Sequence, residues 1–111
     1  MTAEEICSKV GGSIAVDAPG VSASSVYVGD LLSDVMRHAG EKSVLVTIQN
    51  HLNTIAVATL VKSSVVVLCH SRSVPADMEE GAKREGVGII CTSLSQYEVA
   101  QRLSELPPSR R

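Results

Sequence analysis

Aromatic residues are almost missing from this chain: Tyr27 and Tyr97 are the only two, with no Phe and no Trp. That argues against an RNA-binding sheet, which stacks bases on aromatic rings. An excess of one charge is missing too. Ten basic residues stand against twelve acidic ones, a formal net charge of −2, so no nucleic-acid partner is expected. The three cysteines, Cys7, Cys69 and Cys91, are odd in number and widely spaced, without a CxxC pair. They form neither a disulfide framework nor a redox motif. They match no standard zinc spacing, so no metal and no cofactor is expected. No apolar run approaches the roughly 20 residues that cross a bilayer. The start, Met1-Thr2-Ala3-Glu4-Glu5, is acidic where a signal peptide is basic. A cytoplasmic protein without a membrane partner is the expectation. No GxxxxGK[ST] loop occurs, which rules out phosphoryl transfer on a P-loop. No Ser–His–Asp or Cys–His grouping can be defended from spacing, so no catalytic residue is named.

What the chain has is valine, sixteen of them, whose stiff β-branched side chains suit buried strands. Strands are expected at Ser13 to Val16, Val26 to Val28, Ser43 to Ile48, Ser64 to Cys69 and Val87 to Cys91. The run Val65-Val66-Val67-Leu68 reads as a strand buried on both faces. Helices alternate with them. Thr2 and Glu5 form a capping box for a helix over Ala3 to Val10, and Ser95 with Glu98 forms another for a helix reaching about Leu106. Asp30 is a good N-cap for a helix over Leu31 to Ala39, with Leu31, Leu32, Val35, Met36 and Ala39 on its buried face. A third helix, Leu52 to Val61, is apolar on nearly every side. A fourth, Pro75 to Glu85, is charged and ends at Gly86. This alternation predicts one three-layer α/β domain, with a mostly parallel sheet of about four or five strands and helices on both faces. The domain spans residues 1–106, and residues 107–111 read as a flexible tail after Pro107-Pro108.

The densest polar stretch is Thr47-Ile48-Gln49-Asn50-His51-Leu52-Asn53, where a strand turns directly into a helix. Ligands of open α/β sheets bind beyond the carboxyl ends of strands. A helix N-terminus there offers free N–H groups to an anion. Thr47, Gln49, Asn50 and Asn53 can add hydrogen bonds, and His51 can donate when protonated. The plain alternative is that Asn50 caps the helix while its neighbours satisfy nearby backbone. Gly29-Asp30 ends a neighbouring strand and Thr92-Ser93 ends the last one, so Gly29, Asp30 and Thr92 are further candidates for the same crevice. For Asp30 the alternative is a simple N-cap. For Thr92 it is a capping loop leading to Ser95.

The stretches Tyr27-Val28-Gly29-Asp30-Leu31-Leu32-Ser33-Asp34-Val35-Met36, Val46 to Asn53, Ile55 to Ala58, Thr92 to Ser95 and Tyr97 to Ala100 resemble the DRTGG domain family. The resemblance covers residues 1–106. It implies a compact α/β domain similar to the N-terminal domain of HPr kinase/phosphatase. It also implies a regulatory role, as in the DRTGG regions of some phosphotransacetylases and CBS-containing pyrophosphatases. Stand-alone copies of this length look like accessory proteins, some encoded beside iron-only hydrogenases. The motif that names the family is degenerate here. Its place holds Val21-Ser22-Ala23-Ser24-Ser25-Val26, without the Asp, the Arg or the paired Gly.

The expected function is therefore non-catalytic: a regulatory or ligand-sensing homodimer, with a small polar, nucleotide or other phosphate-containing ligand at Thr47 to Asn53. The apolar helix Leu52 to Val61 is the expected dimer surface. One alternative is an accessory module for a partner enzyme, in a hydrogenase or kinase system, with no ligand. Another is a small enzyme using His51, Asp30 or the thiols.

Overall fold

The computed structural model describes residues 1–111. Five strands and five helices follow one another: α1 (Ala3–Val10), β1 (Ser13–Val16), β2 (Ser25–Val28), α2 (Leu32–His38), β3 (Ser43–Thr47), α3 (Leu52–Leu60), β4 (Val65–Leu68), α4 (Ala76–Glu85), β5 (Gly88–Cys91) and α5 (Gln96–Arg102). The strands make one sheet in the order β1-β5-β4-β3-β2. Strands β2 to β5 are parallel. Only β1 is antiparallel, on the β5 edge, with an irregularity between Ile14 and Val16. The three-layer, mostly parallel α/β architecture expected from the sequence is the one observed. No helix is long and apolar enough to cross a membrane.

The sheet's period of two sorts its valines into two cores. Leu45, Val66, Leu68 and Ile89 pack with Val35 of α2, Ile55 and Ala58 of α3, and Met78 and Ala82 of α4. Val44, Val46, Val65, Val67 and Ile90 pack with Ile6 and Val10 of α1 and Val99 and Leu103 of α5. Thus α2, α3 and α4 share one face and α1 and α5 the other. Parallel crossovers of one hand that advance in one direction must all lie on one side. The central strands have neighbours on both faces, which is why β3 and β4 are buried at every position. Each large aliphatic side chain so enclosed contributes about 2 kcal/mol by leaving water.

Local signals set most element ends. Both capping boxes form, Thr2 with Glu5 and Ser95 with Glu98. Gly11 and Gly86 close α1 and α4 in the left-handed conformation that lacks a Cβ penalty. Four expectations need correction. Helix α2 begins at Leu32 behind an N-cap at Leu31, and no side chain caps it, Asp30 included. Because α2 starts late, Leu31 stands outside it and is 62% exposed, and Met36 is also exposed. Helix α5 ends at Arg102 rather than near Leu106. The stretch read as a flexible tail is tied down instead. Val26 N–H donates to Pro107 O at 2.9 Å and Ser109 N–H to Val26 O at 2.7 Å. Gly40 N–H donates to the Ser109 hydroxyl at 2.8 Å. Pro107 and Pro108, beyond the end of α5, do not prevent this docking, because β2 is an edge strand with free backbone groups to satisfy.

Candidate functional site

After β2, β3 and β4 the chain leaves the sheet toward α2, α3 and α4 on one face. After β5 it leaves toward α5 on the other. The connections therefore diverge at the carboxyl ends of β4 and β5, the place where open sheets form their crevice. A cavity of about 450 Å³ lies there, lined by Gly11, Gly12, Ser13, Ser71, Arg72, Cys91, Thr92 and Ser93. The lining is almost wholly polar, and Arg72 carries its only charge.

Backbone bonds hold this cavity's wall. His70 and Ser71, with φ of 57° and 54°, are both left-handed, a conformation that costs a non-glycine residue roughly 1 kcal/mol or more. Cross-ties between the two loops offset that cost: His70 N–H donates to Leu94 O at 3.0 Å and Ser71 N–H to Thr92 O at 2.9 Å. Arg72 is exposed at the rim. No carboxylate lies within ion-pair distance of it. A guanidinium without a carboxylate partner, beside a polar hollow, is suited to forked hydrogen bonding of a phosphate or carboxylate.

A second polar group, centred on Asp30, organises the carboxyl ends of β2 and β3. One oxygen, Oδ1, accepts three hydrogen bonds of 2.9 Å, from the Thr47 hydroxyl, Ile48 N–H and the Gln96 amide. The Gln49 amide donates to Asp30 O at 2.9 Å. Gln49 N–H donates to Thr47 Oγ1, and the Thr54 hydroxyl to Gln49 O. Partial burial pushes the Asp30 carboxyl upward. The bonds from Ile48, Gln96 and Thr47, with the nearby charge of Arg72, outweigh that and hold it below its ordinary range. An acid this well satisfied stays ionised and makes a weak base.

The eight residues singled out from sequence thus separate. Thr47, Gln49 and Asp30 converge, but on one another. Asn50 is not the cap of α3. Its amide donates to Ser73 O at 2.9 Å, tying the β3 junction to the loop after β4. The N-cap position belongs to His51, whose side chain makes no capping bond. His51 and Asn53 are exposed, and Asn53 faces a groove with Arg84 and Glu85. Gly29 continues the ladder, its N–H donating to Val46 O at 3.1 Å. Thr92 lies at the cavity, yet its buried hydroxyl donates to Val10 O at 2.8 Å and so fastens α1 to β5. Of the thiols, Cys69 is fully buried. Burial and then the Asp30 charge push it up to about 11, and burial raises Cys91 as well. Neither is a ready nucleophile. Cys69 packs on the α1/α5 face and Cys91 on the other, and no group of His, Cys, Asp and Glu is arranged to hold a metal.

Sequence reading missed Arg72, Ser71 and the Gly11–Ser13 turn. The available signal was the polar run His70-Ser71-Arg72-Ser73 directly after the most apolar strand. Its weight depended on which face α5 takes, which no local pattern encodes.

Among solved structures, the chain is similar to the CBS and DRTGG domains of the regulatory region of a Clostridium perfringens pyrophosphatase, determined in complex with its activator, diadenosine tetraphosphate. The TM-score is 0.73 at 12% sequence identity, over 96% of this chain and 47% of that one. The chain therefore spans about half of that structure's length, and at this identity the likeness is one of fold. No family model matches the chain, and no curated protein matches it.

Proposed function

We propose that this chain is a diverged DRTGG-type domain that senses a small phosphate-containing ligand and performs no catalysis. The ligand sits at the carboxyl ends of β4 and β5, against Arg72, Ser71 and Ser93. The observation that carries the reading is an exposed arginine without a carboxylate partner beside a polar cavity of about 450 Å³ at the sheet's divergence point. Asp30, Thr47, Gln49 and Asn50 set the shape of the neighbouring loops rather than touching the ligand. Raised thiols and a satisfied carboxylate favour sensing over chemistry. The fold likeness to a nucleotide-activated regulatory region makes a nucleotide the first compound to try. Isothermal titration against ATP, ADP, diadenosine tetraphosphate and inorganic phosphate tests this. One of them binds, and Arg72→Ala weakens it by about tenfold or more, the worth of a charged hydrogen bond. Silence across the panel overturns the proposal.

A homodimer is part of the same proposal. Leu52, Ala56 and Leu60 recur every four residues along the exposed side of α3, with Leu52 39% and Leu60 59% exposed. Such a stripe is suited to a self-complementary contact. Sedimentation should give a dimer that Leu60→Glu dissociates, and a wild-type monomer rejects it. A second reading, an accessory module for a partner enzyme, is favoured by Leu31 and Tyr97. They are 62% and 75% exposed and adjoin the Asp30–Gln96 pair. Co-purification of an enzyme that Tyr97→Ala abolishes and Arg72→Ala does not would select it.

A further inference from the structure

The amino-terminal end of the sheet, opposite the cavity beside Arg72, collects cations. Arg37 and His38 end α2, and Lys42 precedes β3. Lys62 follows α3, and Lys42 N–H donates to Lys62 O at 2.8 Å, which brings these two turns together. The last residues add Arg110 and Arg111. They are held in place by the Ser109 bonds to Val26 and Gly40 and by an Arg111 guanidinium bond to Met36 O. Five of the ten Lys and Arg residues of the chain thus meet beside β2 and β3 at this end. One of them is paired, Lys62 with Glu41 at 3.8 Å, and both side chains are mostly exposed, an arrangement worth little. Arg37, Arg110 and Arg111 have no ion-pair partner. Two adjoining hollows share Arg110 and Arg111 as a common wall. One, of about 340 Å³, also has Tyr27, His38 and Ser109. The other, of about 310 Å³, also has Lys62, Glu41 and the backbone of Gly40.

Self-repulsion among these cations is a cost that a bound anion removes. We infer that this end of the sheet is a second anion site, for a small compound carrying two or three linked phosphates that straddles the arginine wall. The charge of the rest of the molecule selects a small ligand. Beyond these five cations the chain carries five more against eleven of its twelve carboxylates, Asp17 and Glu85 on the β5 side of this same end among them, and that acidic surface repels a long polyanion such as nucleic acid. Because Arg110 and Arg111 belong to the docked terminal stretch, occupancy also holds that stretch against β2 and α2. The site is thus coupled to the pairing of residues 107–109 with Val26.

The test uses sodium tripolyphosphate in calorimetry at low salt, in an Arg72→Ala background that removes the first proposed site. One tripolyphosphate binds per chain. Replacing Arg110 and Arg111 together by Ala weakens binding by about tenfold or more. Lys62→Glu weakens it comparably without touching the bonds of the terminal stretch. In hydrogen exchange, tripolyphosphate slows the amides of Val26, Gly40 and Ser109. A double replacement of Lys83 and Arg84 by Ala, on the last turn of α4, removes the same charge on the β5 side of this end, outside both hollows, and leaves affinity unchanged. The inference is overturned by absent binding, or by equal loss in the Lys83/Arg84 control. Preferential capture of a hexaglutamate peptide over tripolyphosphate also overturns it, since that marks a protein-docking surface. None of these outcomes bears on the cavity beside Arg72.

Discussion

Replacing Asp30 by Ala removes the acceptor shared by three donors. The Thr47 hydroxyl is fully buried, and Ile48 N–H and the Gln96 amide are half-buried. A hydrogen bond to an ionised acceptor contributes roughly 1.5–3 kcal/mol, and a buried donor left alone costs roughly 1–3 kcal/mol. Three such bonds do not add in full. Water can reach the Gln96 and Ile48 groups, and Thr47 still accepts from Gln49 N–H. A loss of about 3 kcal/mol at neutral pH is the working figure, a large share of the roughly 5–15 kcal/mol that holds a domain of this size. Urea unfolding followed by circular dichroism measures it. The effect has a pH signature. The folded-state value of Asp30 lies below the ordinary carboxylate value, so the ionised group stabilises the fold above the unfolded-state value. That contribution is lost as pH falls through the folded-state value. The gap between wild type and Asp30→Ala is therefore widest at neutral pH and narrows in acid. Asp30→Asn keeps the acceptor oxygen but loses the charge, and should fall between them. Equal stabilities at pH 7, or a gap that widens in acid, would refute the assignment of Asp30 as the organiser of this edge.

Other residues give equally definite expectations. Thr92→Val deletes a buried bond to Val10 O and should cost about 1–3 kcal/mol in the same unfolding assay. Nucleotide affinity should change little, because that hydroxyl is already committed. Gly12→Ala places a Cβ 2.4 Å from Cys91 O of the backbone, so β1 must shift against β5. A loss of about 2 kcal/mol or more is expected in thermal unfolding. In maleimide labelling of native protein at pH 8, Cys7, which is partly exposed, should react first. Cys69, buried and pushed up to about 11, should stay unmodified until the chain unfolds. Prompt native labelling of Cys69 would reopen a catalytic reading.

Strand and helix positions were readable from sequence because their causes are local. The Val65 to Leu68 run, the capping boxes at Thr2 and Ser95, and Gly86 act within a few residues of themselves. The polar edge was legible as a place but not as an arrangement. Asp30 has the composition of an N-cap, yet its carboxylate turns to donors 17, 18 and 66 residues away in sequence. Three tertiary donors outcompete one local capping bond, and separations of that size leave no pattern in a window of ten residues. Asn50 follows the same logic, reaching Ser73 instead of capping α3. The docking of Ser109 depends on β2 being an edge strand, a fact about sheet order that Pro107-Pro108 conceals. The cavity beside Arg72 depends on α4 and α5 taking opposite faces.

The central claim, a phosphate-containing ligand at the carboxyl ends of β4 and β5, is tested most directly by amide chemical shifts of nitrogen-15-labelled protein during titration with ATP. Saturable shifts are expected at Gly11, Gly12, Ser71, Arg72 and Ser93, and in Arg72→Ala the remaining ones should need about tenfold more ATP or more to saturate. A spectrum unmoved by ATP, or one in which shifts are confined to His51 to Asn53 or to the cationic end of the sheet, would contradict it.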